Sequence, residues 1–265
     1  MKSKKQRATR ARYPIWAIST NLTELYDIFA KEKRKESMRR CLTDSITNLC
    51  AWLKRNRIIK LKDEFVKINL GTGLSVTTGW INVDVSLNAF FSKCPRLALK
   101  IFYRISQSKK WYSQKEYCNI LRNHNFVCHN VKYGIPFPDD SVDYIYSSHL
   151  LEHLFKEDAR NFLKEAYRVL KKDGIVRICV PDLEYAISLY KKRDKERALY
   201  YFFSNCKSGY FSHHKYMYDF DLLRQFLEDA GFNNIERFSY RKGKTPDIKL
   251  LDNRPEETLY VEATK

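Results

Sequence analysis

Four of the six histidines fall in two tight groups, His149 with His153 and His213 with His214. Upstream, Gly71-Thr72-Gly73 follows the apolar run 65–70, and Asp84 stands near the end of the next run, 80–85. The two sets suit different tasks. Imidazole gains and loses a proton near neutral pH, so histidine serves as a general base and as a metal ligand. Glycines just after a strand remove side chains, and backbone can then approach a ligand closely. An aspartate ending the neighbouring strand can accept both hydroxyls of a ribose. Only ten residues separate Gly73 from Asp84, too few for a full crossover helix. The third glycine of the dinucleotide fingerprint and the Lys-Ser/Thr of a phosphate-binding loop are both missing. A nucleoside fits this turn better than a pyrophosphate.

The run His149-Leu-Leu-Glu152-His153 leaves two readings open. If 148–156 start a helix, His149, Glu152 and His153 share one face with metal-ligand spacing, which His213 or His214 could complete. Otherwise His149 lines a pocket, and Glu152 and His153 make hydrogen bonds at a helix start. There is no Asn-Pro-Pro-aromatic stretch and no Pro-Cys at a strand end. Amino-methylating and 5-methylcytosine chemistry on DNA are thereby disfavoured, and Cys179 reads as core.

These residues need a scaffold that gathers strand ends. Seven short β-like runs are expected at 65–70, 80–85, 126–131, 142–147, 175–180, 235–240 and 258–263. Several are nearly continuous apolar runs, as in a parallel sheet covered by helices on both faces. Between them, residues 158–172 put Ala159, Phe162, Leu163, Ala166, Tyr167 and Leu170 on one stripe. That helix is expected to close on Lys171, Lys172 and a left-handed Gly174. Residues 220–230 repeat the logic and end at Gly231. The expected fold is α/β: a doubly wound, Rossmann-like, seven-stranded and mostly parallel sheet, with ligands at the carboxyl ends of its strands.

The blocks HNVKYGIPFPDDSVDYIYSSHLLEHL and RNFLKEAYRVLKKDGIVRICVPDLE, together with INLGTG and NVD, resemble the class I S-adenosylmethionine-dependent methyltransferases. The resemblance is to the type 11 group, in a subgroup met in envelope-glycan contexts, and it covers about 65–265. It implies S-adenosylmethionine as cofactor. Leu70, Gly71, Thr72 and Gly73 would form the methionine-side loop, Asp84 would hold the ribose, and Asn130 would stand near the adenine. Ser147, Ser148 and His149 would face the methyl group and the acceptor, with His149, His153 and His214 as candidate bases. The run His149-Leu-Leu-Glu152-His153 is also similar to the Glu-x-x-Glu-His site of the small-RNA 2′-O-methyltransferases and of some quinone O-methyltransferases, but His149 replaces the first glutamate, and no metal is expected.

Residues 1–64 lie outside it. They carry 17 Lys and Arg against 7 acids and read as a basic extension, helical in part, with helices expected over 21–29 and 43–60. Within 65–265, segments 89–125 and 184–220 read as insertions or a lid. In the first, Arg96, Lys100 and Arg104 form one stripe and Leu97, Ile101 and Ile105 the next. This basic amphipathic helix is expected to lay its apolar side on the core, with a lid or a membrane-surface contact as alternatives. The stretch 200–220 is rich in aromatics and suits core packing or an acceptor pocket equally.

The net charge of +18 calls for an anionic partner, whether nucleic acid, a phosphorylated substrate or an acidic membrane surface. Seven scattered cysteines without Cys-x-x-Cys fit a reducing cytoplasm. No apolar run approaches the length of a membrane span. The reading is a cytoplasmic methyltransferase acting on a hydroxyl of a glycan or glycan precursor. An RNA methyltransferase and a non-catalytic cofactor-binding module are the competitors, and a nicotinamide-dependent dehydrogenase is a poor fourth.

Overall fold

The computed structural model describes Met38, residues 42–203 and residues 213–265. Two compact units divide between Ser45 and Ile46. The helix expected over 21–29 lies outside the described residues. Helix α1 runs over 42–53 and stops seven residues before the expected end. Past it, Ile59 and Leu61 pack on the main core, and the Ile59 N–H donates to the Pro136 carbonyl at 2.8 Å. That anchor pulls the chain out of the helix.

The seven expected strands all form: β1 Lys67–Leu70, β2 Ile81–Asp84, β3 Asn125–Cys128, β4 Val142–Ser148, β5 Leu170–Pro181, β6 Asn233–Phe238 and β7 Thr258–Thr264. They make one sheet in the order β3-β2-β1-β4-β5-β7-β6. The first five pair in parallel, and β7 runs antiparallel between β5 and β6. The order reverses at β1. The register there sets Leu70 beside both Val83 and Ser147, so the carboxyl ends of β1, β2 and β4 lie side by side.

Helices cover both faces. Short α2 (Leu87–Phe91), α3 (Arg96–Ile105) and α4 (Gln114–Asn123) fill the β2–β3 connection, and α5 (Lys156–Val169) joins β4 to β5. Next come α6 (Leu183–Lys191), α7 (Lys195–Phe202), α8 (Phe220–Asp229) and a single turn, α9 (Ile248–Leu251). Helix α5 buries Phe162, Leu163 and Ala166, and α8 buries Leu223, Phe226 and Leu227, against Ile68, Ile145 and Val176 of the sheet. Each large aliphatic or aromatic side chain so buried contributes about 1.5–3 kcal/mol. The other face carries Trp80, Tyr146, Tyr260 and Cys179 around a fully buried Arg177. Burial pushes the Cys179 thiol up to about 12, which leaves it an unreactive core group.

Two local expectations are corrected. The left-handed residue after α5 is Asp173, at φ +64°, and not Gly174. Gly174 is required by crowding, because a Cβ there would meet the Lys171 carbonyl oxygen at 2.8 Å. Helix α3 does form, but its apolar stripe faces away from the core. Leu97, Ile101 and Ile105 are 73%, 56% and 77% exposed, and Leu99 alone on that helix is buried.

Candidate active site

The turn after β1 is built around two left-handed glycines, Gly71 at φ +73° and Gly73 at φ +54°. A Cβ on Gly71 would press to 2.9 Å from the Leu150 side chain, whereas one on Gly73 would meet nothing within 4 Å. Gly71 thus serves packing, and Gly73 opens onto free space. Asp84 supports the turn from β2. Its Oδ2 accepts the Gly73 N–H at 2.8 Å and its Oδ1 the Ser86 N–H at 2.7 Å. Each carboxylate oxygen keeps a further lone pair for a ligand hydroxyl.

A cavity of about 200 Å³ opens at this turn, lined by Asn69, Gly71, Thr72, Gly73, Ser75, Tyr146, Ser148, His149, Leu251, Asn253 and Arg254. Five of the expected site residues, Gly71, Thr72, Gly73, Ser148 and His149, therefore share one wall. Leu70 is core beneath it, and Ser147 is buried with its Oγ unpartnered. Asn130 stands at the end of β3, where its Oδ1 accepts the Lys132 N–H and caps a short turn over Val131–Tyr133. A larger cavity of about 350 Å³ between α5 and α8 is lined by Glu157, Arg160, Asn161, Lys164, Phe226, Asp229 and Ala230. Its Arg160 pairs with Glu157 of the same helix, and it gathers no strand-end groups.

His149 follows β4 in a left-handed conformation, φ +52°. A non-glycine residue there carries strain on the order of 1 kcal/mol or more, and four contacts hold it. Its N–H donates to the Cys179 carbonyl at 2.8 Å, its Nδ1 lies 3.1 Å from Glu152 Oε1 and, farther off, 3.4 Å from Arg254 Nη1, and its Nε2 lies 3.2 Å from Thr258 Oγ1. Glu152 is fully buried. Burial alone would raise its carboxyl, but the His149 hydrogen bond and the charges of His149 and His153 outweigh it and hold the group below the usual range. An ionised Glu152 takes the proton on Nδ1, which leaves the Nε2 lone pair to accept the Thr258 hydroxyl.

The helical face over 148–156 that the metal-ligand spacing required does not form. Leu151–His153 make a single 3₁₀ turn, and α5 begins only at Lys156. Glu152 instead sits between two imidazoles, with its Oε1 also 3.8 Å from His153 Nε2. His214 joins from the segment before α8. One ligand atom each of Glu152, His153 and His214 lie within 4.8 Å of one another. His149 is outside that triad, and His213 offers its carbonyl, 3.1 Å from His153 Nδ1. Burial lowers the His153 pKa, partly offset by Glu152.

Asn69, Ser75, Leu251, Asn253, Arg254 and Thr258 were not singled out from the sequence. Their signal is indirect. Arg177 interrupts the apolar run of β5, and a buried guanidinium needs acids. It finds Asp252 at 2.6 Å and Glu262 at 2.9 Å, which pins the loop that carries Asn253 and Arg254.

Residues 88–178 match the family model described as a methyltransferase domain, about a third of the chain. Gly71, Gly73 and Asp84 precede the matched stretch. Among solved structures, the chain is similar to a methyltransferase of Archaeoglobus fulgidus described as SAM-dependent (16% identity, 91% of this chain and 99% of that one, TM-score 0.44). It is similar also to a SAM-dependent protein of Thermotoga maritima described as a possible histamine N-methyltransferase (16%, 95% and 100%, 0.44). A presumed O-methyltransferase of Nostoc punctiforme matches 83% of this chain, which spans 56% of its length (14%, 0.43). No curated protein matches the chain. The sheet order is that of the class I methyltransferase fold, and the segment 88–178 matches a methyltransferase domain, an enzyme type whose methyl donor in this fold is S-adenosylmethionine.

The residues present fit that donor. Open space lies above Gly73, and the Arg254 guanidinium on the cavity wall suits its carboxylate. The spare lone pairs of Asp84 suit its ribose hydroxyls. Among the described residues, no helix is long and apolar enough to cross a membrane.

Proposed function

We propose that this domain methylates a hydroxyl oxygen of a glycan or glycan precursor. The observation that carries the hydroxyl is His149: a strained imidazole on the wall of the Gly71–Gly73 cavity, with its Nδ1 on a buried carboxylate. When bound, S-adenosylmethionine supplies an electrophilic methyl group on a cationic sulfur. An attacking hydroxyl must lose its proton. His149 Nε2 receives it once the Thr258 hydroxyl turns aside, and Glu152 stabilises the imidazolium. The glycan rests on the resemblance of residues 65–265, and of the segment from His129 to Glu184 above all, to the envelope-glycan subgroup. The outward apolar stripe of α3 beside Arg96, Lys100 and Arg104 supports a lipid-linked form of that acceptor at an anionic membrane surface.

The test is transfer of labelled methyl groups to nucleotide-linked sugars, polyprenyl-linked glycans and RNA. Transfer to a glycan is expected, with His149→Gln lowering kcat by about 10²–10⁴ while cofactor affinity stays within a few-fold. Transfer to RNA alone would replace this reading with the RNA one, which the net charge of +18 favours. Full turnover by His149→Gln would remove the histidine base.

A further inference from the structure

The triad of Glu152, His153 and His214 is more ordered than a chance meeting of polar side chains. Each imidazole has one nitrogen already committed to a backbone carbonyl. His153 Nδ1 points to the His213 carbonyl at 3.1 Å, and His214 Nδ1 to the Tyr201 carbonyl at 2.5 Å. A carbonyl only accepts, so both Nδ1 atoms carry the proton, and both Nε2 atoms present lone pairs. Fixing the tautomer through the distal nitrogen is how ligating histidines are held in metal sites. The third member is a carboxylate with no exposed surface. Its Oε1 meets His149 and His153, while its Oε2 has no hydrogen-bond partner. A buried carboxylate oxygen without a donor is strongly unfavourable unless a cation answers it.

We propose that Glu152, His153 Nε2 and His214 Nε2 bind one divalent transition-metal ion. Two imidazoles and one carboxylate suit ions of borderline softness, such as Zn²⁺, Mn²⁺, Fe²⁺ or Co²⁺, over Mg²⁺ or Ca²⁺. Ligand atoms on one such ion stand about 3 to 3.5 Å apart, so the three groups close on it from their present spread of up to 4.8 Å. Three protein ligands leave a position open, as in catalytic rather than structural sites. Glu152 links the ion to His149 on the cavity wall. Resting on the methyltransferase reading above, the open position takes an oxygen of the acceptor and holds it beside the methyl donor.

The experiment uses the full chain without a histidine tag, stripped with chelator. It is titrated calorimetrically with Zn²⁺, Mn²⁺, Co²⁺ and Mg²⁺, with visible spectra taken for Co²⁺. One ion per chain is expected for at least one of the first three, with Co²⁺ giving the intensified bands of a low-coordinate nitrogen site. His214→Ala and Glu152→Gln should each weaken binding at least tenfold, and His124→Ala should leave it unchanged. Glu152 is buried, so circular dichroism checks its folding, and the half-buried His214 provides the variant least at risk. No stoichiometric binding by the wild type, or undiminished binding in both variants, overturns the site. S-adenosylmethionine titrated into the same samples separates the two readings. Cofactor binding without the ion defeats the metal alone, and the ion without cofactor defeats the methyltransferase reading alone.

Discussion

Asp84 shows how one side chain serves both fold and ligand. It satisfies two backbone N–H groups of the turn after β1 and keeps lone pairs which, on the proposed function, a ribose would use. Asp84→Ala is therefore expected to weaken S-adenosylmethionine binding at least tenfold and to cost about 1–3 kcal/mol of stability from orphaned donors. Calorimetry and urea unfolding of the same variant read the two effects separately. His129, next to the end of β3, gives a pH dependence. Burial lowers its pKa, the Gly134 and Lys54 carbonyls offset this only in part, and the charge of Arg57 lowers it a little further. The unfolded chain then binds the proton first, so stability is full above the unfolded value of about 6.5 and falls as pH drops through it. Urea midpoints from pH 7.5 to 5 should fall for the wild type and fall less for His129→Gln; equal slopes would show that His129 does not carry the effect. At this scale the glycine turn and Asp84 were legible in the sequence, because a strand end and a fixed spacing define them. Arg254 and Thr258 were not, since their place depends on where a distant strand returns.

At the scale of elements, the strands were legible because their apolar runs are long, and α5 and α8 because their stripes are regular. The turn after His149 is a single 3₁₀ turn and not the helical face that one of the two readings of the sequence required. The pull of Cys179, Glu152 and Thr258 on His149 bends the chain into the left-handed region, and no local periodicity encodes those partners. The fully buried Arg177 ties β5 to β7 and to the 251–254 loop through Asp252 and Glu262. Arg177→Met strands both carboxylates in the core and should destabilise the domain by about 3–5 kcal/mol. Replacing Asp252 and Glu262 by apolar residues in the same chain should recover much of that loss, as chemical denaturation would show. An unaltered midpoint in Arg177→Met would mean that the network adds nothing to stability.

At the scale of the whole molecule, charge and shape point the same way. A net charge of +18 coexists with a helix that turns Leu97, Ile101 and Ile105 outward, followed by Trp111 at 83% exposure. The sequence showed the stripes of α3 but not their direction, because Phe102 and Tyr103 on its other side compete for the same core. On an anionic bilayer each basic residue near the surface contributes about 1 kcal/mol, and the apolar stripe adds its burial. Co-sedimentation with phosphatidylglycerol vesicles is expected at low salt and should be lost in Ile101→Glu/Ile105→Glu. Equal binding by that variant would exclude α3 as the contact.

Strand β7 lies inside the sheet, between β5 and β6, and brings both Glu262 for Arg177 and Thr258 for His149. Translation delivers these residues after the other six strands of the sheet, and domains fold as their chain emerges. A nascent chain halted before Thr258 would hold the whole cofactor turn yet lack the seam that closes the sheet. Premature termination would thus yield an open-edged product, not a weakened enzyme, and the two are told apart by proteolysis rather than by assay.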